Sequence, residues 1–217
     1  GGDPTLDSDG LANLVVGLKE AGIIGISGRF RIWDGALPAL PFIDAAQPDH
    51  VGYNPSVGGL NLNFNRVHFE WERKGSEYDI TMEARARRFS PAVETSRLVL
   101  ADEQRRVYEY THSNGVDLWS VSRRALSRDG ARWLPVRRPG AYAQEVFLTI
   151  ARSYGFDFRA GVPLQSAPQG IEIVREQGAP MLDLMRGMLR FSTNLTAEVA
   201  GMKASATFGG QPETLAE

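Results

Sequence analysis

The stretch that decides the fold of the C-terminal part reads Arg190-Phe191-Ser192-Thr193-Asn194-Leu195-Thr196-Ala197-Glu198. It joins two segments with helical spacing of apolar residues, one over 181–189 and one over 195–203. Short polar side chains between helices commonly cap free backbone N–H groups. The i, i+2 spacing of Ser192 and Asn194 in an extended turn can also direct both side chains into one cleft. From these residues alone, a capped helix junction and a functional pair both remain open.

Composition excludes several classes of protein. The chain has 217 residues, of which 42% are hydrophobic, so it can bury one substantial core or two small ones. With 24 basic and 26 acidic side chains the net charge is −2, which offers no global field for nucleic acid. Local arginine clusters alternate with acidic residues, as on solvated strand edges, so we expect no nucleic-acid partner. The absence of cysteine excludes disulfides and thiolate chemistry.

Metal, cofactor and membrane binding are not indicated. The three histidines, His50, His68 and His112, are scattered without the spacing of metal ligands. The Gly58-Gly59 and Gly209-Gly210 pairs lack the frame of a phosphate-binding loop. No apolar run reaches the length of a transmembrane helix. We therefore expect no cofactor, no metal and no transmembrane segment.

The N-terminal segment has the pattern of one helix followed by a loop. Its opening, Gly1-Gly2-Asp3-Pro4, is typical of an excised piece rather than a natural start. Ser8 or Asp9 can cap a helix that Gly22 ends, and Ile23–Ile26 is expected to form a short buried strand. Proline, glycine and aspartate then predict a long structured loop over 34–55.

The middle of the chain is predicted to be β structure. Asn114-Gly115 separates two strand-like runs and is a strong hairpin signal, and Asp129-Gly130 repeats it. We therefore expect an antiparallel β unit over 63–137. A strand or a hairpin is predicted over Leu60–Trp71, and strands over Tyr78–Ala86, Ser96–Leu100, Val107–Thr111, Val116–Val121 and Ala131–Val136.

Helices return in the last third of the sequence. Pro139 opens one helix and Gly155 is a fitting C-cap, and a strand is expected over Ile171–Val174. Pro180 opens a helix with a wide apolar face, whose methionines we interpret as core residues. Taken together, the pattern predicts an α+β fold in which one unit interrupts another.

Four segments, in order along the chain, resemble the D-alanyl-D-alanine carboxypeptidase/endopeptidase family, the low-molecular-mass penicillin-binding proteins that carry large inserted domains. No single segment is specific, but the order and spacing of the four cover nearly the whole chain. They are Gly1-Gly2-Asp3-Pro4-Thr5-Leu6, Asn54–Asn65, Pro139-Gly140-Ala141-Tyr142-Ala143, and Gln177–Met185 one helix ahead of Ser192.

The resemblance implies how the chain is divided. It implies a penicillin-binding-protein-type fold with inserted mainly-β domains and a C-terminal helical piece of the catalytic domain. Residues 1–62 and 138–170 would form a first inserted α/β domain, and 63–137 a β domain nested in it. Residues 171–217 would belong to the catalytic domain and carry Ser-x-Asn.

The resemblance also implies a chemistry for the Ser-Thr-Asn step. In this family a serine in Ser-x-x-Lys attacks the D-Ala-D-Ala bond and forms an acyl-enzyme, which water hydrolyses. Carried over, Ser192 would pass a proton between the catalytic lysine and the leaving amine, and Asn194 would hydrogen-bond the substrate and hold that lysine. The implied partners are peptidoglycan stem peptides, with β-lactams as covalent inhibitors, in the periplasm or elsewhere outside the cytoplasm.

The sequence departs from the family at two motifs. None of its serines is followed three positions later by lysine, and Lys-Thr-Gly is absent. The family places these motifs before Gly-Gly-Asp-Pro and after the Ser-x-Asn helix. We therefore expect a central piece of a larger enzyme that is inactive alone. A non-catalytic module that binds peptidoglycan or a partner, or an inactive family member, remain the alternatives.

Overall fold

A computed structural model describes residues 2–210. It contains four helices, six strands and two short 3-10 turns, at Asn63–Asn65 and Arg123–Ala125. In chain order the main elements are α1 (Ser8–Glu20), β1 (Arg66–Lys74), β2 (Glu77–Glu83), β3 (Ser96–Ala101), β4 (Tyr108–Ser113), β5 (Val116–Ser122), β6 (Asp129–Pro135), α2 (Pro139–Ser153), α3 (Met181–Phe191) and α4 (Asn194–Thr207). The content of helix and strand confirms the predicted α+β class. No helix in the described range is long and apolar enough to cross a membrane.

Helix α1 begins one residue earlier than the sequence predicts. The cap is Asp7, whose carboxylate accepts a hydrogen bond from the Gly10 N–H at 2.8 Å. Ser8 is instead buried and donates to the Ala84 carbonyl at 2.7 Å. The Asp9 carboxylate accepts from the backbone N–H groups of Arg88 and Phe89. Ser8 and Asp9, the predicted caps, therefore make contacts with distant residues, while Asp7 accepts a hydrogen bond from the first turn of the helix.

The six strands form two three-stranded sheets. One has the order β2-β1-β6 and is antiparallel, and the other has the order β3-β5-β4. In the second sheet β4 and β5 are antiparallel but β3 and β5 are parallel. The prediction of a wholly antiparallel unit is thus wrong for one pair. A tight hairpin makes β4 and β5 antiparallel, whereas β3 reaches the other edge of β5 from outside that hairpin.

The two predicted turns have different outcomes. Asn114 (φ 50°) and Gly115 (φ 79°) join β4 to β5 through the two-residue hairpin that the sequence predicted. Gly130, by contrast, lies inside β6 opposite Trp71. A Cβ atom there would collide with the Trp71 ring. This glycine is therefore needed for a close approach rather than for a turn.

Two predicted strands do not form. Residues Ile23–Ile26 and Ile171–Val174 are not paired with any strand of the described chain, and the Ile24 and Ile171 side chains are 95% and 93% exposed. A short apolar run becomes a strand only where a neighbouring edge accepts its hydrogen bonds, and local sequence does not supply that edge. The predicted long loop over 34–55, in contrast, has no helix or strand.

A left-handed turn replaces the start of the predicted strand over 60–71. Asn63, Phe64 and Asn65 have φ values of 50°, 57° and 50°. This region is tolerated by asparagine and disfavoured by phenylalanine, so the turn needs support from its surroundings. The support comes from the buried amides of both asparagines. β1 starts only after the turn, at Arg66.

The buried amide of Asn63 connects two helices to this turn. Its oxygen accepts from the Ser8 N–H at 3.1 Å, and its nitrogen donates to the hydroxyls of Ser8 (3.0 Å) and Tyr142 (3.1 Å). Tyr142, on α2, is fully buried and in turn donates to the Arg66 carbonyl at 3.0 Å. Burial accordingly raises the pKa of the Tyr142 hydroxyl. These bonds fix α1, α2 and the start of β1 relative to one another.

Two apolar cores hold the molecule together. The larger extends from α1 and α2 across both sheets, with Val15, Phe69 and Trp119 fully buried. The smaller joins α4 to the 34–57 region. Its buried members are Leu37, Val57, Leu195, Val199 and Met202.

Helix α3 differs from its prediction. None of its residues is buried, so its methionines are not core residues of the described chain. Met181, Leu182 and Leu189 lie on one side of the helix and leave an uncovered apolar face there, whereas Leu184, Met185 and Met188 are half-buried. A face of this kind in a monomer marks a contact surface.

Replacement of Tyr142 by phenylalanine tests the hydrogen-bonded centre. Tyr142→Phe keeps the buried ring but leaves one N–H of the Asn63 amide unpaired and removes the hydrogen bond to the Arg66 carbonyl. The free energy of unfolding should fall by about 1–3 kcal/mol, the cost of unpaired buried polar groups, as measured by urea denaturation. The control is Tyr53→Phe, since Tyr53 is half exposed and should change stability by less than about 0.5 kcal/mol. Equal effects of both changes would contradict this role of Tyr142.

The exposed face of α3 predicts self-association of the 217-residue chain. Light scattering should detect oligomers, and Leu189→Glu should shift them towards the monomer because it places a charge on that face. Val162→Glu is the matched control, since Val162 is 73% exposed, comparable to 76% for Leu189, but lies outside α3. A chain that stays monomeric at high concentration would count against the prediction.

Candidate functional site

The Ser-Thr-Asn step is a sharp turn between α3 and α4. Ser192 ends α3 in the left-handed conformation (φ 51°, ψ 48°), and Thr193 follows with extended backbone. The Thr193 N–H donates to the Met188 carbonyl at 3.3 Å, which closes the end of α3. The turn leaves the side chains of Ser192 and Asn194 exposed on the surface.

The capping interpretation of this step is not supported. Thr193 occupies the N-cap position of α4, yet its side chain makes no hydrogen bond to the first turn of the helix. Ser192 and Asn194 lie on either side of that position and do not cap it. The polar side chains of the step are therefore free for contacts outside the helix.

Leu195 anchors the turn from below. It is buried with Val199 and Met202 of α4 against Leu37 and Val57. Full burial of such a side chain stabilises by about 1.5–3 kcal/mol, so the start of α4 is firmly attached. The backbone that carries the exposed Ser192 and Asn194 side chains is therefore held in place by the burial of Leu195.

A shallow groove runs beside the turn. One side is the helix junction itself, and the other is formed by the end of the long loop and the left-handed turn before β1. The lining residues are Gly52, Tyr53, Pro55, Phe64, Arg66, Phe191, Ser192, Thr193, Asn194 and Leu195. The groove is therefore built from two regions that are far apart in sequence.

One hydrogen bond crosses the groove. The side-chain amide nitrogen of Asn194 donates to the backbone carbonyl of Tyr53 at 3.1 Å. Asn194 is exposed, so the rest of its amide faces solvent. This bond connects the α4 N-terminus to residues 141 positions earlier.

The segment that carries Tyr53, residues 41–54, is held from both sides; we name it the 41–54 loop. The buried Asn54 side chain accepts from the N–H groups of Ile43 (2.8 Å) and Asp44 (2.9 Å) and donates to the Asp44 carbonyl (2.9 Å). Arg137 donates to three carbonyls of the loop, those of Pro41 (2.9 Å), Asn54 (2.9 Å) and Asp49 (2.7 Å).

A desolvated cation lines the same groove. The Arg66 guanidinium lies 5.1 Å from the centre of the Phe64 ring and 5.3 Å from that of Trp133. Its Nε atom is buried without a hydrogen-bond partner among the described residues. Burial lowers the pKa of Arg66, but a guanidinium stays charged at neutral pH. The aromatic rings partly replace the water that the charge has lost.

The structure brings Ser192 and Asn194 together, and it adds neighbours that the sequence did not single out. Tyr53, Phe64 and Arg66 belong to no motif that the sequence analysis recognised, although Phe64 lies in Asn54–Asn65, one of the four segments that resemble the family. Within residues 2–210, no three histidine, aspartate or glutamate side chains are grouped to hold a metal ion.

Comparison with protein families gives one match, which spans residues 1–217. That family is described as the D-Ala-D-Ala carboxypeptidase 3 (S13) family. No curated protein matches this chain significantly.

Solved structures share the fold. The chain is similar to penicillin binding protein 4 (dacB) from Haemophilus influenzae, with 19% identity and a TM-score of 0.66. The match covers 97% of this chain and 48% of that protein. The same protein complexed with a novel beta-lactam (CMV) matches with 19% identity and a TM-score of 0.59, over 89% and 42%. This chain therefore spans about half the length of the structures it resembles.

Arg137 is predicted to protect the 41–54 loop from proteolysis. Arg137→Ala removes the donor to three carbonyls at once, so local opening of the loop should become easier. Chymotrypsin should then cut after Phe42 or Tyr53 about 30 to 150 times faster, if two or three hydrogen bonds are lost at about 1 kcal/mol each. Mass spectrometry of early fragments identifies the sites. Arg105→Ala, at an exposed arginine between β3 and β4, is the control and should leave cleavage unchanged.

Proposed function

Because this chain belongs to the D-Ala-D-Ala carboxypeptidase 3 (S13) family, we propose that it supplies one wall of the active site of a serine D,D-carboxypeptidase. The observation that carries the proposal is the turn between α3 and α4. There Ser192 and Asn194 are both exposed on one groove, and neither side chain caps the start of α4. In penicillin-interacting serine peptidases a Ser-x-Asn motif takes part in catalysis, and for that role both side chains must be accessible.

The proposed chemistry is acyl transfer. A serine nucleophile, from a Ser-x-x-Lys motif that this sequence lacks, would attack the D-Ala-D-Ala carbonyl and release D-alanine. Ser192 would carry the proton from the catalytic lysine to the leaving amine. Asn194 would hydrogen-bond the peptide and the lysine. Water would then hydrolyse the acyl-enzyme and restore the serine.

The substrate and location follow from the same proposal. Stem peptides of peptidoglycan carry the D-Ala-D-Ala bond, and peptidoglycan lies outside the cytoplasm. β-Lactams would acylate the same serine and act as covalent inhibitors. The beta-lactam complex of the Haemophilus influenzae protein supports this for the shared fold. The choice between carboxypeptidase and endopeptidase activity is left open by this proposal.

A non-catalytic binding module is the second candidate, and the groove lined by Tyr53, Phe64 and Arg66 suits it. None of the 217 residues forms a Ser-x-x-Lys or Lys-Thr-Gly motif. In a protein that lacks these motifs altogether, the same groove would serve only to bind peptidoglycan or a protein partner. The two functions differ in whether a covalent penicillin adduct forms.

Acylation by a fluorescent penicillin tests the proposal. The full-length gene product that carries this sequence should become covalently labelled. Ser192→Ala should slow acylation about 10²- to 10⁴-fold, as expected for loss of a proton-transfer group. Asn194→Ala should slow it about 10²-fold or more through loss of a preorganised hydrogen bond. Rates are read from the time course of gel fluorescence.

The control for these variants is Ser76→Ala. Ser76 is exposed in the β1–β2 turn and does not line the groove, so its replacement should leave the rate unchanged. A full-length protein that never labels, although it binds peptidoglycan in a pull-down, would replace the enzyme by the binding module. Labelling at the wild-type rate in Ser192→Ala would remove Ser192 from the mechanism.

A further inference from the structure

The contact between Asn194 and the Tyr53 carbonyl restricts how the motif amide can be turned. A backbone carbonyl only accepts hydrogen bonds, so the amide nitrogen of Asn194 must face it. The amide oxygen is then directed to the other side, with one N–H still free. An asparagine on an exposed helix end would otherwise exchange nitrogen and oxygen by rotation about its last side-chain bond.

From this geometry we propose that the 41–54 loop is a positioning element for catalysis. It holds the Asn194 side chain in one orientation through the Tyr53 carbonyl. The inference rests on the proposed role of Asn194 in acylation. The free N–H and the amide oxygen of Asn194 would then be fixed for the peptide and the catalytic lysine before substrate arrives.

The loop is rigid enough for this purpose because its own polar groups are paired. Asn54, which follows Tyr53, is 98% buried, since its exposed fraction is 2%. Its side chain makes three hydrogen bonds within the loop, and Arg137 makes three from outside it. A carbonyl on a freely moving loop would not restrict its partner, whereas one held on both sides does.

Gly52 fixes how near the loop comes to the sheet. A Cβ atom at this position would lie 2.7 Å from the carbonyl oxygen of Trp133. Trp133 belongs to β6 and is paired with His68 of β1, so its backbone cannot easily yield. Gly52→Ala should therefore displace the loop backbone and with it the Tyr53 carbonyl, without removing any group from the groove.

The test is a double-mutant cycle in the full-length gene product. The four proteins are wild type, Gly52→Ala, Asn194→Ala and the double variant, and the measured quantity is the rate of acylation by a fluorescent penicillin. Gly52→Ala alone should slow acylation about three- to tenfold, the value of one hydrogen bond. In the Asn194→Ala background it should have no further effect, because the group that it misplaces is gone.

Each outcome decides a separate question. If Gly52→Ala slows both backgrounds equally, or leaves the wild-type rate unchanged while Asn194→Ala is slow, the positioning role is wrong and the proposed function stands. If Asn194→Ala acylates at the wild-type rate, the role of Asn194 is wrong and the positioning role falls with it; if the wild-type protein never labels, the proposed function is wrong. A purely structural defect would lower the thermal unfolding midpoint and slow both backgrounds alike.

Two further variants support the cycle. Gly28→Ala is the matched control, since a Cβ atom there meets nothing within 4 Å, and the acylation rate should not change. Arg137→Lys takes the place of Gly52→Ala if that protein does not fold. It keeps the charge but lacks the fork that reaches three carbonyls. Arg137→Lys should slow acylation in the wild-type background but not in the Asn194→Ala background. Equal slowing in both backgrounds would overturn the proposal.

Discussion

The buried amides of Asn63 and Asn65 are the contacts on which the arrangement of the other elements depends. An unpaired amide in the interior costs about 1–3 kcal/mol per group, so each must find partners where the chain places it. Asn63 finds Ser8 and Tyr142, and Asn65 accepts from the Leu62 N–H and donates to the Ser56 carbonyl and the Asn61 side chain. These bonds hold a left-handed turn that a phenylalanine at its centre would not adopt alone.

The groove follows from that turn. Phe64 lies between two asparagines that point inwards; it is half-buried beside the smaller core and flanks the guanidinium of Arg66. The Asn65 amide holds the Ser56 carbonyl at 2.8 Å, which places the end of the 41–54 loop beside the turn. Helix α4 is attached to the same region by apolar contacts with Val57. One side of the groove is thus fixed by polar contacts and the other by apolar ones.

Local sequence predicted the elements whose causes are local. The Asn114-Gly115 hairpin needs only two residues that tolerate positive φ, and α2 needs only Pro139 at its start and Gly155 after its end (φ 90°). The errors concern elements whose outcome depends on distant partners. Ile171–Val174 has the composition of a strand but no edge to pair with, and β3 joins β5 in parallel through contacts that no local pattern records. The boundaries of the units at 62/63 and 137/138 stay predictions.

The site also combines features that local sequence predicts with features that depend on distant residues. Ser192 and Asn194 could be proposed from the sequence, because their side-chain types and spacing are visible there and four segments along the chain supplied the family context. The group that faces Asn194 is a backbone carbonyl 141 positions away. Every residue has such a carbonyl, so the identity of Tyr53 carries no signal for it. The signal lies instead in the residues that place the carbonyl: Gly52, which has no room for a side chain, and Asn54 and Arg137, which pair the loop. A search of sequences for the partners of a motif asparagine should therefore look for the residues that hold a backbone segment, rather than for a complementary side chain.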